Sequence, residues 1–172
     1  ALVDAFVRHA VSRYGAQEVR SWYFEFWNEP NLDGFWEKAD QQAYFDYYGR
    51  TARTIKAIDP QLRVGGPSTA GAAWVPEFLA YAKKHSVPVD FVTTHTYGVE
   101  GGFLDEKGEG DNKLSRNPDA VVQDVRKVRG EIEAAGERMT RVREAAATVI
   151  FGQANVIEQT LITLLSGGHA LL

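Results

Sequence analysis

Cysteine is absent from the 172 residues, which excludes disulfides, thiolate nucleophiles and cysteine-ligated zinc or iron. Basic residues are in the minority, 19 Lys and Arg against 23 Asp and Glu, for a formal net charge of −4. With no cationic surplus to neutralise a phosphate backbone, nucleic acid is not an expected partner. No apolar run reaches the ~20 residues needed to span a bilayer. The longest candidate, Leu161 to Leu172, is broken by Ser166, Gly167, Gly168 and His169, so no membrane partner is expected. The opening residues lack the basic start, apolar core and cleavage pattern of a signal peptide, which leaves a soluble chain with a cytoplasmic address as the default. No histidine and carboxylate set has the spacing of a metal site, and neither a metal nor a cofactor is expected. An initiator Met is also missing, and both ends fall inside apparent elements, which reads as a fragment.

What is present is the mixture of an ordinary globular domain: 44% hydrophobic and 24% charged residues,. The length suits one domain and falls short of the ~250 residues of a closed (β/α)8 barrel. Leu2, Phe6, Ala10 and Tyr14 recur at helical spacing, and Gly15 supplies a stop,. Trp22 to Trp27 is an aromatic, strand-favouring run that ends at the turn signal Asn28-Glu29-Pro30-Asn31,. Asp40 is an N-cap for a helix with Tyr44, Tyr47, Thr51, Ile55 and Ile58 on one face, closed by Asp59-Pro60,. A short strand, Leu62 to Pro67, precedes a helix opened by Trp74-Val75-Pro76 and ended by Lys83, Lys84 and His85,. A third strand, Val89 to Thr94, runs into His95-Thr96-Tyr97-Gly98, followed by a polar loop from Gly101 to Arg116,. Asn117-Pro118 starts a last helix carrying Val121, Val125, Val128 and Ile132, with Gly136 as its end,. Three strand and helix alternations with long connections predict an α/β fold of parallel strands joined by right-handed crossovers.

Glu29 is the candidate of greatest chemical interest. Glycosidic bond hydrolysis needs an acid that protonates the leaving oxygen and a second carboxylate across the sugar. A carboxyl at the end of an apolar, aromatic strand sits in partly dry surroundings, where parallel α/β folds hold their chemistry. Asn28 beside it can donate to a sugar hydroxyl, and Trp22, Trp27, Phe35 and Trp36 are aromatics of the kind that stack on sugar faces. The plain alternative is a solvated turn residue, since Asn and Pro are common in turns. Glu25 alternates with Phe24 and Phe26 and reads as a paired structural charge pointing inward.

Trp22-Tyr23-Phe24-Glu25-Phe26-Trp27-Asn28-Glu29-Pro30-Asn31-Leu32-Asp33-Gly34-Phe35-Trp36 resembles the fourth-strand signature of glycoside hydrolase family 39, the β-xylosidases and related α-L-iduronidases. Val64-Gly65-Gly66-Pro67 resembles that family's fifth strand, and Phe91 to Gly98 its sixth. The resemblance implies part of a (β/α)8 barrel over about residues 1–136, with Glu29 as acid/base of a retaining β-xylosidase. It further implies that Asn28, His95, Tyr97 and Trp36 bind the substrate, a β-xyloside or a xylose-containing oligosaccharide. By the same resemblance the nucleophile Glu belongs at the end of a seventh strand, soon after Gly136. The sequence there, Glu137 to Glu144 and then Val149-Ile150-Phe151-Gly152-Gln153, presents no aromatic strand ending in Glu.

Residues from about 140 to 172 resemble instead the N-terminal part of a MoxR-type AAA+ ATPase, stopping before any Gly-x-x-x-x-Gly-Lys-Ser/Thr phosphate loop,. The expected organisation is therefore a partial glycosidase barrel over 1–136 and a helical segment with a short strand over 137–172. A barrel of three units leaves open sheet edges that favour self-association. Two other readings stay open: a carbohydrate-binding or structural α/β piece without chemistry, and a truncated ATPase-related module.

Overall fold

The computed structural model describes residues 2–100 and 113–149. The elements run α1 (Leu2–Tyr14), α2 (Ala16–Val19), β1 (Tyr23–Glu25), α3 (Gln41–Ile58), β2 (Arg63–Ala70), α4 (Val75–Lys84), β3 (Phe91–His95), β4 (Val99–Glu100), β5 (Lys113–Leu114) and α5 (Ala120–Val149). β1, β2 and β3 form one parallel sheet in that order, with helices crossing between them. This is an α/β arrangement of the kind found in one arc of a (β/α)8 barrel.

Local chemistry sets several boundaries where the sequence puts them. Gly15 takes φ 87 and its N–H bonds to the Val11 carbonyl at 2.9 Å, a left-handed stop that glycine adopts without a Cβ penalty. Asp40 caps α3 by accepting from the Ala43 N–H at 3.0 Å, satisfying one of the donors a helix start leaves open. Other boundaries shift. β1 is shorter than the aromatic run, because Trp27 already turns left-handed at φ 67. β2 extends beyond Pro67 to Ala70, across a register shift at Ser68, which has φ 58. The loop after β3 contributes a two-residue antiparallel pair, Val99 with Leu114 and Glu100 with Lys113.

The end expected at Gly136 is not made. α5 continues through it to Val149, and Gly136 is not among the glycines with positive φ. A mid-helix glycine costs about 1 kcal/mol relative to Ala, and that alone does not stop a helix. The expected domain division therefore falls inside one continuous helix. Residues 150–172, which carry most of the AAA+ resemblance, lie outside the described residues.

Strand pairing sorts the side chains onto two faces. Phe24 and Val64 are in register and pack toward the helices, where Val7, Val19, Tyr44, Tyr48, Ile55, Leu62 and Phe78 are buried. Apolar side chains of that size each contribute about 1.5–3 kcal/mol on burial. Tyr23, Arg63, Glu25 and Gly65 alternate onto the inner face,, where the Arg63 guanidinium lies 4.7 Å from the Tyr23 ring centre. Glu25 does face inward as expected, but it is exposed and makes no ion pair among the described residues.

The two ends of the sheet differ in chemistry. At the strand starts, Asp90 accepts from Lys56 Nζ and from the Val64 N–H at 2.8 Å each, and Arg20 bonds Asp59 at 2.7 Å. The Gln61 N–H and Arg20 both favour the Asp59 carboxylate, lowering its pKa. These contacts lock the connections. The strand ends carry the candidate site.

Candidate active site

The chain leaves β1 through Phe26 and Trp27 and returns to β2 within two residues. The Phe26 N–H bonds the Gly65 carbonyl at 3.3 Å, and the Glu29 N–H bonds the Ser68 carbonyl at 2.8 Å. Ser68 lies at the register shift of β2. A bulge there turns a carbonyl that would otherwise pair with a neighbouring strand toward the Glu29 loop. Glu29 itself has φ 48, a left-handed conformation costing about 1 kcal/mol or more for a residue with a side chain. Strain of this kind is retained where surrounding contacts over-determine it.

Asn31 closes the loop. Its side-chain amide donates to the Ala70 carbonyl at 3.0 Å, and its Oδ1 accepts from the Ala70 N–H at 2.8 Å. The amide thus stands in for a strand neighbour at the end of β2. Tyr44 supports the same region from the helical side, its hydroxyl lying 2.9 Å from the carbonyls of both Phe26 and Pro67. Burial pushes the Tyr44 phenol well above its ordinary range, so it remains a donor.

Around Glu29, two groups from the end of β3 converge. His95 Nδ1 is 2.8 Å from Glu29 Oε1, and the Tyr97 hydroxyl donates to the same oxygen. The Glu29 side chain is 4% exposed, whereas that of His95 is 30% exposed. The carboxyl is thus held at the floor of the site beneath groups open to solvent. Tyr97 is pushed up to about 12, first by its hydrogen bond to Glu29, then by lost hydration and the nearby charge. It is therefore a protonated donor at any ordinary pH.

Three residues singled out in the sequence, Glu29, His95 and Tyr97, are brought into one hydrogen-bonded cluster although they lie 66 and 68 positions apart. Asn28 is exposed beside them. Trp36 takes no part in the hydrogen bonds to the carboxyl. Its ring stands edge-on to Trp27 at 5.3 Å and to Tyr44 at 5.8 Å, and its indole N–H donates to the Asp40 carbonyl at 3.0 Å. Trp27 is the more open of the two, 51% exposed, and its own indole N–H is fixed on the Phe35 carbonyl at 2.8 Å. Sequence reasoning missed Asn31 and Ser68. Asn31 carried a signal, an Asn closing the turn that holds Glu29, while Ser68 carried none.

The chain is similar to known proteins over most of its described length. The family model described as glycosyl hydrolases family 39 matches residues 1–144, past the boundary expected near Gly136. A β-xylosidase of Geobacillus stearothermophilus is 50% identical over 98 residues, which are 56% of this chain and 19% of that protein. The crystal structure of a monomeric β-xylosidase from Caulobacter crescentus CB15 is 74% identical, with a TM-score of 0.71 over 77% of this chain and 27% of that one. A crystal structure described as the GH39 enzyme from Xanthomonas axonopodis pv. citri is likewise 74% identical, with a TM-score of 0.70 over 77% of this chain and 26% of that one. The chain spans about a fifth of the curated β-xylosidases and about a quarter of these solved chains. It carries the strand signature, the fold and the family match together, and it belongs to the glycosyl hydrolases family 39.

Proposed function

We propose that this chain carries the acid/base half of a retaining β-glycosidase site for β-xylosides, with Glu29 as the group that protonates the leaving oxygen. The observation that carries the reading is the convergence of His95 and Tyr97 on one oxygen of a buried carboxyl at the strand ends. The substrate class is suggested by the β-xylosidases the chain resembles.

With Oε1 accepting from two fixed neighbours, the proton that Glu29 passes to a leaving group rides on Oε2. His95 and Tyr97 hold the carboxyl in one rotamer, so little reorganisation accompanies the transfer. Asn28 meets the sugar hydroxyl next to the scissile bond, and Trp27 with Trp36 form an aromatic wall beside the sugar. Retention requires a second carboxylate about 5 Å from the first. We assign that nucleophile to a part of the barrel beyond the three parallel strands among the described residues.

Calorimetry of the full chain with xylose tests the reading, together with an assay on an aryl β-xyloside. Binding that weakens in both Glu29→Gln and Tyr97→Phe supports a retained sugar site. The three-stranded extent of the sheet favours a second reading, sugar binding without hydrolysis, and binding with no turnover would select it. If xylose fails to bind at all, the chain is a structural piece of the family fold.

A further inference from the structure

His95 and Tyr97 meet Glu29 from the end of β3 and the residues just beyond it. Successive side chains of an extended chain point to opposite sides. Thr96, between the two, takes the other side and donates to Asp124 Oδ2 on α5. The backbone on either side of Thr96 is tied as well. The His95 carbonyl accepts from the Ala72 N–H at 3.2 Å, and the Gly98 carbonyl accepts from the Ser115 N–H at 2.9 Å. Ala72 is in turn held by α5, because its own carbonyl accepts from Lys127 Nζ at 3.0 Å. Gly98 has φ 62, and a Cβ there would come within 3.2 Å of Val121 Cγ2 in the first turn of α5.

Asp124 and Lys127 are three positions apart and so are neighbours on the surface of the helix. One side of α5 therefore grips the loop after β3 directly, through Thr96, and the loop after β2 through Ala72. The helix has its own seat, packed on α4, and Asn117 closes the turn before it by accepting from the Asp119 N–H at 3.0 Å. Side chains held against a packed helix are placed more precisely than those on a loop alone. A hydrogen bond to a carboxylate is worth about tenfold or more in a conformational equilibrium, enough to select the held loop over its alternatives.

We propose that α5 is the brace of the acid/base site, with Asp124 and Lys127 as positioning residues that keep His95 and Tyr97 seated on the Glu29 carboxyl. Neither residue bonds Glu29 itself; Asp124 acts through Thr96, and Lys127 through Ala72 and the His95 backbone. Without the brace Oε1 loses its two fixed partners, and the carboxyl no longer presents one defined oxygen to a leaving group. The proposal deepens the reading of Glu29 as acid/base and rests on it.

The test is NMR of the full chain at neutral pH, reading the ring carbon that bears the Tyr97 hydroxyl and the His95 Nδ1 resonance. Glu29→Gln gives the reference shifts for a weakened contact. Thr96→Val, which removes the donor to Asp124, should move Tyr97 toward that reference, and Thr96→Ser should restore the wild-type position. Lys127→Met, at a side chain that is 53% exposed, should move His95 in the same sense while the urea midpoint shows that the chain stays folded. Lowered stability with both resonances unmoved would make the contacts merely structural and overturn the proposal, leaving the Glu29 reading intact. Resonances that Glu29→Gln itself leaves unmoved would remove the contact, and the Glu29 reading loses its support together with this one.

Discussion

The side-chain amide of Asn31 pairs with both backbone groups of Ala70, donating at 3.0 Å and accepting at 2.8 Å. Ala70 is 6% exposed, so water cannot easily replace the lost partner. Asn31→Ala is expected to cost about 1–3 kcal/mol of unfolding free energy, the penalty of orphaned backbone groups. Asn31→Asp keeps the acceptor but not the donor and should fall between alanine and wild type. Urea unfolding measures both, and two silent variants would show that the pairing does not hold the loop.

Tyr97 gives a pH-dependent readout of its contact with Glu29. A folded value of about 12 against an ordinary 10.0 means that the folded state binds the phenolic proton more tightly than the unfolded chain does. The associated stability is present below about pH 10 and is lost as pH rises toward 12. In a tyrosine-selective NMR titration, Glu29→Gln should bring Tyr97 back toward 10, because the Glu29 hydrogen bond is the largest cause of the shift. An unchanged Tyr97 in that variant would mean the phenol is held by something else.

Gly65 is required by sterics rather than by backbone freedom. A Cβ there would be driven into the carbonyl oxygen and ring of Phe91 on the adjacent strand, whereas one at Gly34 would meet nothing within 4 Å. Gly65→Ala should therefore destabilise by about 1–3 kcal/mol through overpacking, and Gly34→Ala by less than about 0.5 kcal/mol. Denaturant unfolding of the pair decides this, and equal effects would contradict it.

The parts of this structure legible in the sequence are those set by neighbours in the chain. Asp40 and Gly15 announce their helix ends because capping and left-handed stops depend on a few adjacent residues. Glu29 could be picked out because it stands just beyond an aromatic strand, and His95 and Tyr97 through the resemblance of Phe91 to Gly98 to the family's sixth strand. Features set by tertiary contact were not legible. The Ser68 bulge arises from pairing between strands far apart in sequence, and the continuation of α5 through Gly136 overrides a local stop signal. Trp36 looked like a sugar platform because of its type, but its ring also fills space between Trp27 and Tyr44, which only packing reveals. The bond from Thr96 to Asp124 joins the loop after β3 to α5, a juxtaposition no local pattern encodes.

The role of Glu29 is tested most directly by affinity labelling, which needs no nucleophile from the rest of a barrel. In N-bromoacetyl-β-xylosylamine an electrophilic carbon occupies the position of the leaving group, so the carboxylate that faces that position attacks it, forming an ester and releasing bromide. Peptide mass spectrometry of the labelled chain should find the adduct on Glu29, with excess xylose protecting it and Glu29→Gln unlabelled. An adduct on another carboxylate, or labelling of Glu29 that xylose does not slow, would contradict its assignment as the acid/base.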